Sequence, residues 1–288
     1  MALLLSKPGR YWRGVVRDMV SRPGGYSRAL GWLAMYTLAR IVIVRWIARR
    51  LSRRGARHVQ EGGASMFDAN VGEVVEALRV EGFDARLRLP RGILRELVSF
   101  GAGLSGSTPY SNAGRPGPAL VEKIAGDPLL LEVAARHLGS RPIYQGSRIW
   151  WTRPGEYADP RETGARFHYD LYDYTALVFL FYLTDVGSEA GPHVCVRGSH
   201  RRRRWRDQLH PRRHRSDDQI VRLYGEDRIV TICGPAGTGI AEDPFCFHKV
   251  NLPVQRARLA LQLLYTGHDV PAPSFNRART SRPDAGLR

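Results

Sequence analysis

Two imidazoles and a carboxylate, His168, Asp170 and His248, are followed ten residues later by the guanidinium of Arg258. Two nitrogen donors and one oxygen donor suit a divalent iron and leave the opposite side of the metal open for chemistry. His168 and Asp170 are two residues apart, so on a strand they point the same way. His248 must then arrive from a distant strand, and Arg258 shares the inward parity of its own. A metal and an anionic co-substrate would occupy one pocket in that arrangement.

The elements that must position these residues follow from pattern. From Gly139 onward, short runs read as strands: Arg148–Thr152, stopped by Pro154-Gly155, then Thr175–Thr184, apolar almost throughout, then Ile229–Ile232, and finally Arg256–Tyr265. Such strands after a helical start suggest a β-sandwich or jelly roll flanked by helices. Before them, Asn70–Val80 and Arg91–Phe100 carry helical apolar stripes. A third helix is punctuated by Asp127 as cap, Pro128 in the first turn and Gly139 past the end. Gly101–Pro118 reads as a loop. On the strand 148–152, Arg148 and Trp150 share one face and Ile149 and Trp151 the other; pattern does not choose which faces inward.

Residues 1–65 differ from 66–288 in being a basic, partly apolar helical extension, closed by a linker at Gln60–Ser65. Its apolar stretch, Ala29–Ala39 and Ile41–Val44, is divided by Arg40, short of the roughly 20 uninterrupted residues a spanning helix needs. The placements that fit it are a helix lying in a membrane interface, with Trp32, Tyr36 and Trp46 among flanking arginines, or a helix packed on the core or in an oligomer contact.

The net charge of +17 on 288 residues predicts attraction to anionic surfaces. Nucleic acid, acidic lipid and a phosphorylated substrate all qualify, and an arginine-rich coding bias gives the same charge without functional cause. Cys195, Cys233 and Cys246 show no paired spacing, which fits reduced, buried thiols. Met1–Leu5 is too short for a secretory signal. The expected location is cytoplasmic, with peripheral contact at the inner face of a membrane through residues 26–54.

The ordered set Phe167-His168-Tyr169-Asp170, Leu183-Thr184-Asp185-Val186, Arg197-Gly198-Ser199-His200, Asp243–His248 and Arg258-Leu259-Ala260-Leu261 resembles the phytanoyl-CoA hydroxylase family of Fe(II)- and 2-oxoglutarate-dependent dioxygenases. The resemblance runs from about Phe67 to about Val270. It implies a double-stranded β-helix, a cupin-like jelly roll with helices packed on one side. It also implies His168, Asp170 and His248 as ligands to Fe(II), with 2-oxoglutarate and dioxygen as co-substrates. Arg258 would pair with the distal carboxylate of 2-oxoglutarate, with Arg256 as its rival on the same strand face. Trp150 and Phe181 fall where relatives line the co-substrate pocket.

The implied activity is hydroxylation of an unactivated C–H bond of a small-molecule or lipid-like substrate; Asp170 disfavours halogenation, because halogenating relatives carry a small residue there. Val250 departs from the pattern, standing where relatives often carry a hydroxyl residue. That departure keeps a non-catalytic binding protein as an alternative, and the charge keeps a nucleic-acid-directed dioxygenase, although no specific nucleic acid is expected. His200 belongs to a structural turn, and His193, beyond Gly191-Pro192, reads as lying on the wrong side of the sheet. The arginines of 201–215, interleaved with Trp205, His210 and His214, read as a solvated loop or as a grip for an anionic substrate near the pocket mouth.

Overall fold

The computed structural model describes residues 25–52, 63–106, 117–156, 164–209 and 213–268. Most of the extension, Gln60–Gly62 of its linker, and parts of the 101–118 and 201–215 loops lie outside the described residues.

Among the described residues, eight strands form two antiparallel sheets. We label them β1 (Phe83–Arg88), β2 (Ile143–Thr152), β3 (Ala176–Tyr182), β4 (His193–Val196), β5 (Ile229–Ile232), β6 (Thr238–Glu242), β7 (His248–Val250) and β8 (Arg258–Thr266). The five-stranded sheet runs β1-β6-β3-β8-β2, and the three-stranded sheet runs β5-β4-β7. Facing antiparallel sheets with helices outside them make a jelly roll, as the strand pattern predicts. β2 begins earlier than the sequence suggests, at Ile143, and pairs along its length with β8, Thr152 opposite Arg258.

Helices α1 (Gly25–Leu38), α2 (Val42–Ser52), α3 (Val71–Val80), α4 (Arg91–Ala102), α5 (Ala119–Ala125), α6 (Pro128–Leu138), α7 (Trp205–Leu209) and α8 (Asp217–Tyr224) cover the sheets. The expected punctuation of α6 is present: the Asp127 carboxylate accepts from the backbone N–H of Leu129 and Leu130, and Gly139 closes the helix at φ 74°. The Asn70 side chain caps α3. The large sheet's outer face packs against α3–α6 in one apolar core that includes Leu78, Leu97, Leu130, Ile149, Phe181, Leu259 and Leu261.

The small sheet's outer face is also covered, so helices flank both sheets. Met35 of α1, Ala39 just past its end and Ile220 of α8 share a second core with Phe167, Tyr169, Leu171, Val194, Val196, Phe245 and Phe247. The described part of the extension therefore packs on the jelly roll. Arg45 of α2 reinforces this contact by donating to both carboxylate oxygens of Asp243 at 3.0 and 3.2 Å.

The face between the sheets carries Trp150, Leu180, Tyr182, Cys195, Ile232, Ile240 and Ala260. Strand alternation then places Arg148 and Thr152, His193, Glu242, and Arg258 and Gln262 on that same interior face. Arg148 meets Gln262 there. The open choice on strand 148–152 is thus resolved: Arg148 and Trp150 face inward, Ile149 and Trp151 face the helices.

Candidate metal centre

The segment Phe167–Leu171 alternates as an extended chain. Phe167, Tyr169 and Leu171 enter the core beneath α1, which leaves His168 and Asp170 to the interior. Reciprocal backbone hydrogen bonds, His168 N to His248 O at 2.9 Å and His248 N to His168 O at 2.8 Å, set the two histidines side by side. Asp170 N continues the ladder to Pro244 O at 2.8 Å. One donor atom from each of His168, Asp170 and His248 lies within 4.8 Å of the other two. The distant strand required by the spacing is β7.

Both rings are oriented by their second nitrogen. His168 Nδ1 lies 2.9 Å from Arg166 O, and His248 Nδ1 lies 3.0 Å from Cys246 O and 3.1 Å from Glu242 Oε1. Carbonyl and carboxylate oxygens only accept, so Nδ1 carries the proton in each ring and Nε2 is turned to the site. His248 Nε2 is 3.9 Å from Asp170 Oδ2. Asp170 is itself steered: Tyr172 donates to Oδ2 at 2.9 Å, and Arg213 Nη1 lies 3.5 Å from Oδ1. Burial opposes charge on Asp170, but His168, His248, Arg213 and Tyr172 outweigh it and lower its pKa. The donor set therefore fits a divalent ion, with its imidazoles pinned and its carboxylate ionised.

The two imidazoles are poised differently. Burial, with His248 alongside, lowers His168 to about 3, so this ring is neutral. Burial also opposes charge on His248, but Glu242 overcomes it and, with Asp170, raises this ring to about 9. Without metal, His248 is an imidazolium near neutral pH. A metal entering there must displace its proton, so affinity is expected to fall about tenfold per pH unit below 9 in anaerobic metal titrations.

Glu242 escaped the sequence reading. It is buried on β6 and bonds His193 Nε2 through Oε2 at 2.8 Å while Oε1 faces His248. A carboxylate behind a ligating histidine fixes the ring and raises its basicity. Glu242→Gln keeps the shape and removes the charge. Titration calorimetry with Co(II) is expected to show affinity about 10- to 100-fold weaker; unchanged affinity would mean that the Cys246 carbonyl alone holds the ring.

The placement of His193 is a correction. Gly191-Pro192 does not lead out of the sheet; β4 is the central strand of the small sheet, pairing His193 with Ile232 and Val250. Its ring centroid is 5.4 Å from that of His248. His193, Cys195 and Glu242 also converge as a second metal-competent group, although Glu242 is committed to the histidines on both sides. His200 is buried in its turn, 3.6 Å from Cys246 Sγ and over Gly82, where a Cβ would meet its ring at 2.6 Å. Its role is packing, as expected.

Phe181 is a second correction. Its ring stacks on Phe67 at 5.6 Å and lies over Gly239, where a Cβ would meet it at 2.5 Å. It belongs to the core under the helices, and Leu180 and Tyr182 take the interior face instead. Trp150 is interior. Arg258 is fully buried there, donating to Gly191 O at 2.6 Å and Thr152 Oγ1 at 3.3 Å. Arg256 precedes the strand, is 70% exposed, and faces Glu189 at 3.8 Å, which removes it as the rival. The Tyr182 hydroxyl, raised in pKa by burial against the pull of Arg258, accepts from His193 N at 2.9 Å. Tyr182 thus ties the backbone of His193 to Ile232 O, and Arg258 bears on its hydroxyl only through its charge.

The basic loop divides between inside and outside. Arg203 is buried with its guanidinium 3.7 Å from the Tyr169 and Phe245 ring centroids, and Arg215 is buried against Asp207 at 3.1 Å. Arg213 and His214 reach the site itself, the latter stacked on His168 at 5.7 Å. Arg201, Arg202, Arg204 and Arg206 are exposed.

No family model and no curated protein matches this chain. Among solved structures, AviO1 from Streptomyces viridochromogenes Tue57 is similar at a TM-score of 0.50 and 14% identity, over 73% of this chain and 99% of that one. EvdMO1 is similar at 0.49 and 19%, over 69% of this chain and 50% of its own. SnoK, a non-heme alpha ketoglutarate dependent carbocyclase from nogalamycin biosynthesis, is similar at 0.48 and 18%, over 71% and 86%. At such identities the likeness to AviO1 is one of fold.

Proposed function

We propose that this protein is a Fe(II)- and 2-oxoglutarate-dependent oxygenase that hydroxylates an unactivated C–H bond of a small-molecule or lipid-like substrate. The observation that carries the reading is the convergence of His168, Asp170 and His248 within 4.8 Å, with both Nδ1 atoms engaged elsewhere. His168, Asp170 and His248 would hold iron there, which with 2-oxoglutarate and dioxygen would supply an oxidant for such a bond, succinate and carbon dioxide being the products of the co-substrate.

The chain's own residues account for the rest. His168 and His248 present Nε2, and Tyr172 and Arg213 orient the Asp170 carboxylate. Arg258 recognises the distal carboxylate: neutral oxygens of Gly191 and Thr152 fix the plane of its guanidinium, and a planar fork matches a carboxylate bidentately. Trp150, on the same interior face, walls the space beside it. Arg213 and His214 stand beside the ligands, the first 3.5 Å from Asp170 Oδ1 and the second stacked on the His168 ring.

The test is succinate release from 2-oxoglutarate in the presence of iron and a panel of hydrophobic candidate substrates. Arg258→Met is expected to raise the KM for 2-oxoglutarate about 10- to 100-fold while metal affinity stays unchanged, since hydrogen bonds to a charged group contribute about 1.5–3 kcal/mol. An unchanged KM would remove Arg258 from the co-substrate site. Val250 favours a second reading, a binding protein that keeps the fold without turnover. Failure to bind iron at micromolar concentration would decide for it.

A further inference from the structure

We infer that the helical pair α1–α2 docks this protein on an anionic bilayer surface, with its exposed apolar stripes entering the headgroup–acyl boundary. The inference does not depend on the oxygenase reading.

The two helices are turned inside out relative to a helix that faces water. On α1, Leu30, Leu33 and Leu38 are exposed, with Ala34 and Thr37 on the same stripe, while Met35, and Ala39 just past the helix end, are buried. On α2, Ile43, Trp46, Ile47 and Leu51 are exposed, while the charged Arg45 is buried. A surface helix normally presents polar residues outward at these spacings. Seven of the twelve large apolar side chains exposed among the described residues fall on these two helices. Such clustering on two consecutive helices signals an interaction surface, and not the scatter of an ordinary exterior.

Charge selects the occupant. The sequence contains no acidic residue between Asp18 and Glu61. Arg50 lies over the Trp46 ring at 5.7 Å, a cation beside an amphipathic aromatic. A second basic, aromatic element adjoins the hairpin, because Val42 N donates to Gln208 Oε1 at 2.8 Å. That element, α7 with the residue before it, exposes Arg204, Trp205 and Arg206, with Trp205 65% exposed. Tryptophan and arginine around an apolar stripe match the boundary between acidic headgroups and acyl chains. A second copy would bring the same basic face against itself, which like-charge repulsion disfavours.

Length sets the mode of binding. Among the described residues no single helix is long and apolar enough to cross a membrane, and the segments Leu30–Leu38 and Val42–Ser52 are bent by 119° at their break. A bent pair of this length suits a position in the plane of the interface. The buried side of the hairpin packs on Phe167 and Tyr169, which flank the metal ligands, and Tyr36 lies 5.7 Å from the guanidinium of Arg213. Docking there would bring the candidate site close to the lipid phase.

The experiment is flotation of the full chain with vesicles of phosphatidylcholine alone and of phosphatidylcholine mixed with phosphatidylglycerol. Binding is expected to the mixed vesicles and more weakly to the neutral ones, with raised salt weakening but not abolishing it. Leu33→Gln/Ile47→Gln/Leu51→Gln, all at exposed positions, is expected to lower the partition coefficient at least about tenfold with unchanged thermal unfolding. Should that variant unfold more readily, Leu30→Gln/Leu33→Gln carries the same test on α1 alone. Equal flotation of native and folded variant protein overturns the inference, as does absence of native binding to either vesicle. A native dimer that the substitutions convert to a monomer, with no vesicle binding, would assign the face to a second copy instead.

Discussion

Ferrous iron is expected to bind Asp170→Ala at least about a hundredfold more weakly than the native chain. Loss of a carboxylate behind a ligating histidine already costs 10- to 100-fold, and Asp170 stands among the donors themselves. The substitution also leaves Arg213, 3.5 Å away, facing two imidazoles without the anion between them. His168→Ala should weaken binding comparably by removing the neutral ring. His200→Ala is the control: its imidazole packs over Gly82, away from the three converging donors, and metal affinity should not change. Anaerobic titration of the purified proteins with Fe(II) reads the affinities, and 2-oxoglutarate-dependent succinate release reads the consequence. Native-like affinity in both ligand variants would refute the assignment of the site.

The parts of this site that were legible in sequence are those governed by local periodicity. Phe167–Leu171 alternates strictly between the core beneath α1 and the interior, so the shared direction of His168 and Asp170 followed from period two alone. Helix α6 announced both ends through Asp127, Pro128 and Gly139. What stayed hidden depends on long-range register or on faces that look alike. β3 is apolar throughout because both its faces are buried, so nothing in its pattern distinguishes Phe181, under the helices, from Leu180 and Tyr182, in the interior. Glu242 meets His248 only because β6 and β7 belong to opposite sheets that face one another. Its one local signal is an acidic residue closing an otherwise uncharged short strand. His193 was misplaced because Gly191-Pro192 looks like an exit from the sheet, whereas it is the entry to β4. The extension carried rival readings that pattern could not separate, because its helices are apolar on more than one face: Met35, Ala39 and Arg45 pack on the jelly roll while Leu30, Leu33, Ile43 and Ile47 are exposed.

Asp243→Asn is expected to destabilise the fold by about 3–5 kcal/mol, the usual consequence of leaving one member of a buried ion pair uncompensated. The carboxylate binds three elements together. It takes two hydrogen bonds from Arg45 of α2, lies 3.8 Å from Arg49 and 3.4 Å from His137 of α6, and accepts from Phe245 N at 3.0 Å, in the turn that leads to His248. Burial works against its charge, yet Arg45 first, and then His137 and His200, hold its pKa well below the ordinary carboxylate value. A depressed folded-state pKa stabilises the native state above the unfolded value, about 3.9 for Asp. That contribution is complete near neutrality and is lost as pH falls below about 4 toward the folded value. Urea unfolding should therefore separate native and Asp243→Asn proteins widely at pH 7, and the two stability curves should converge in acid. Arg45→Met/Asp243→Asn should recover part of the loss, since it removes both charges together. A gap independent of pH would show that packing around the side chain, and not its charge, holds the hairpin against the turn that leads into the strand bearing His248.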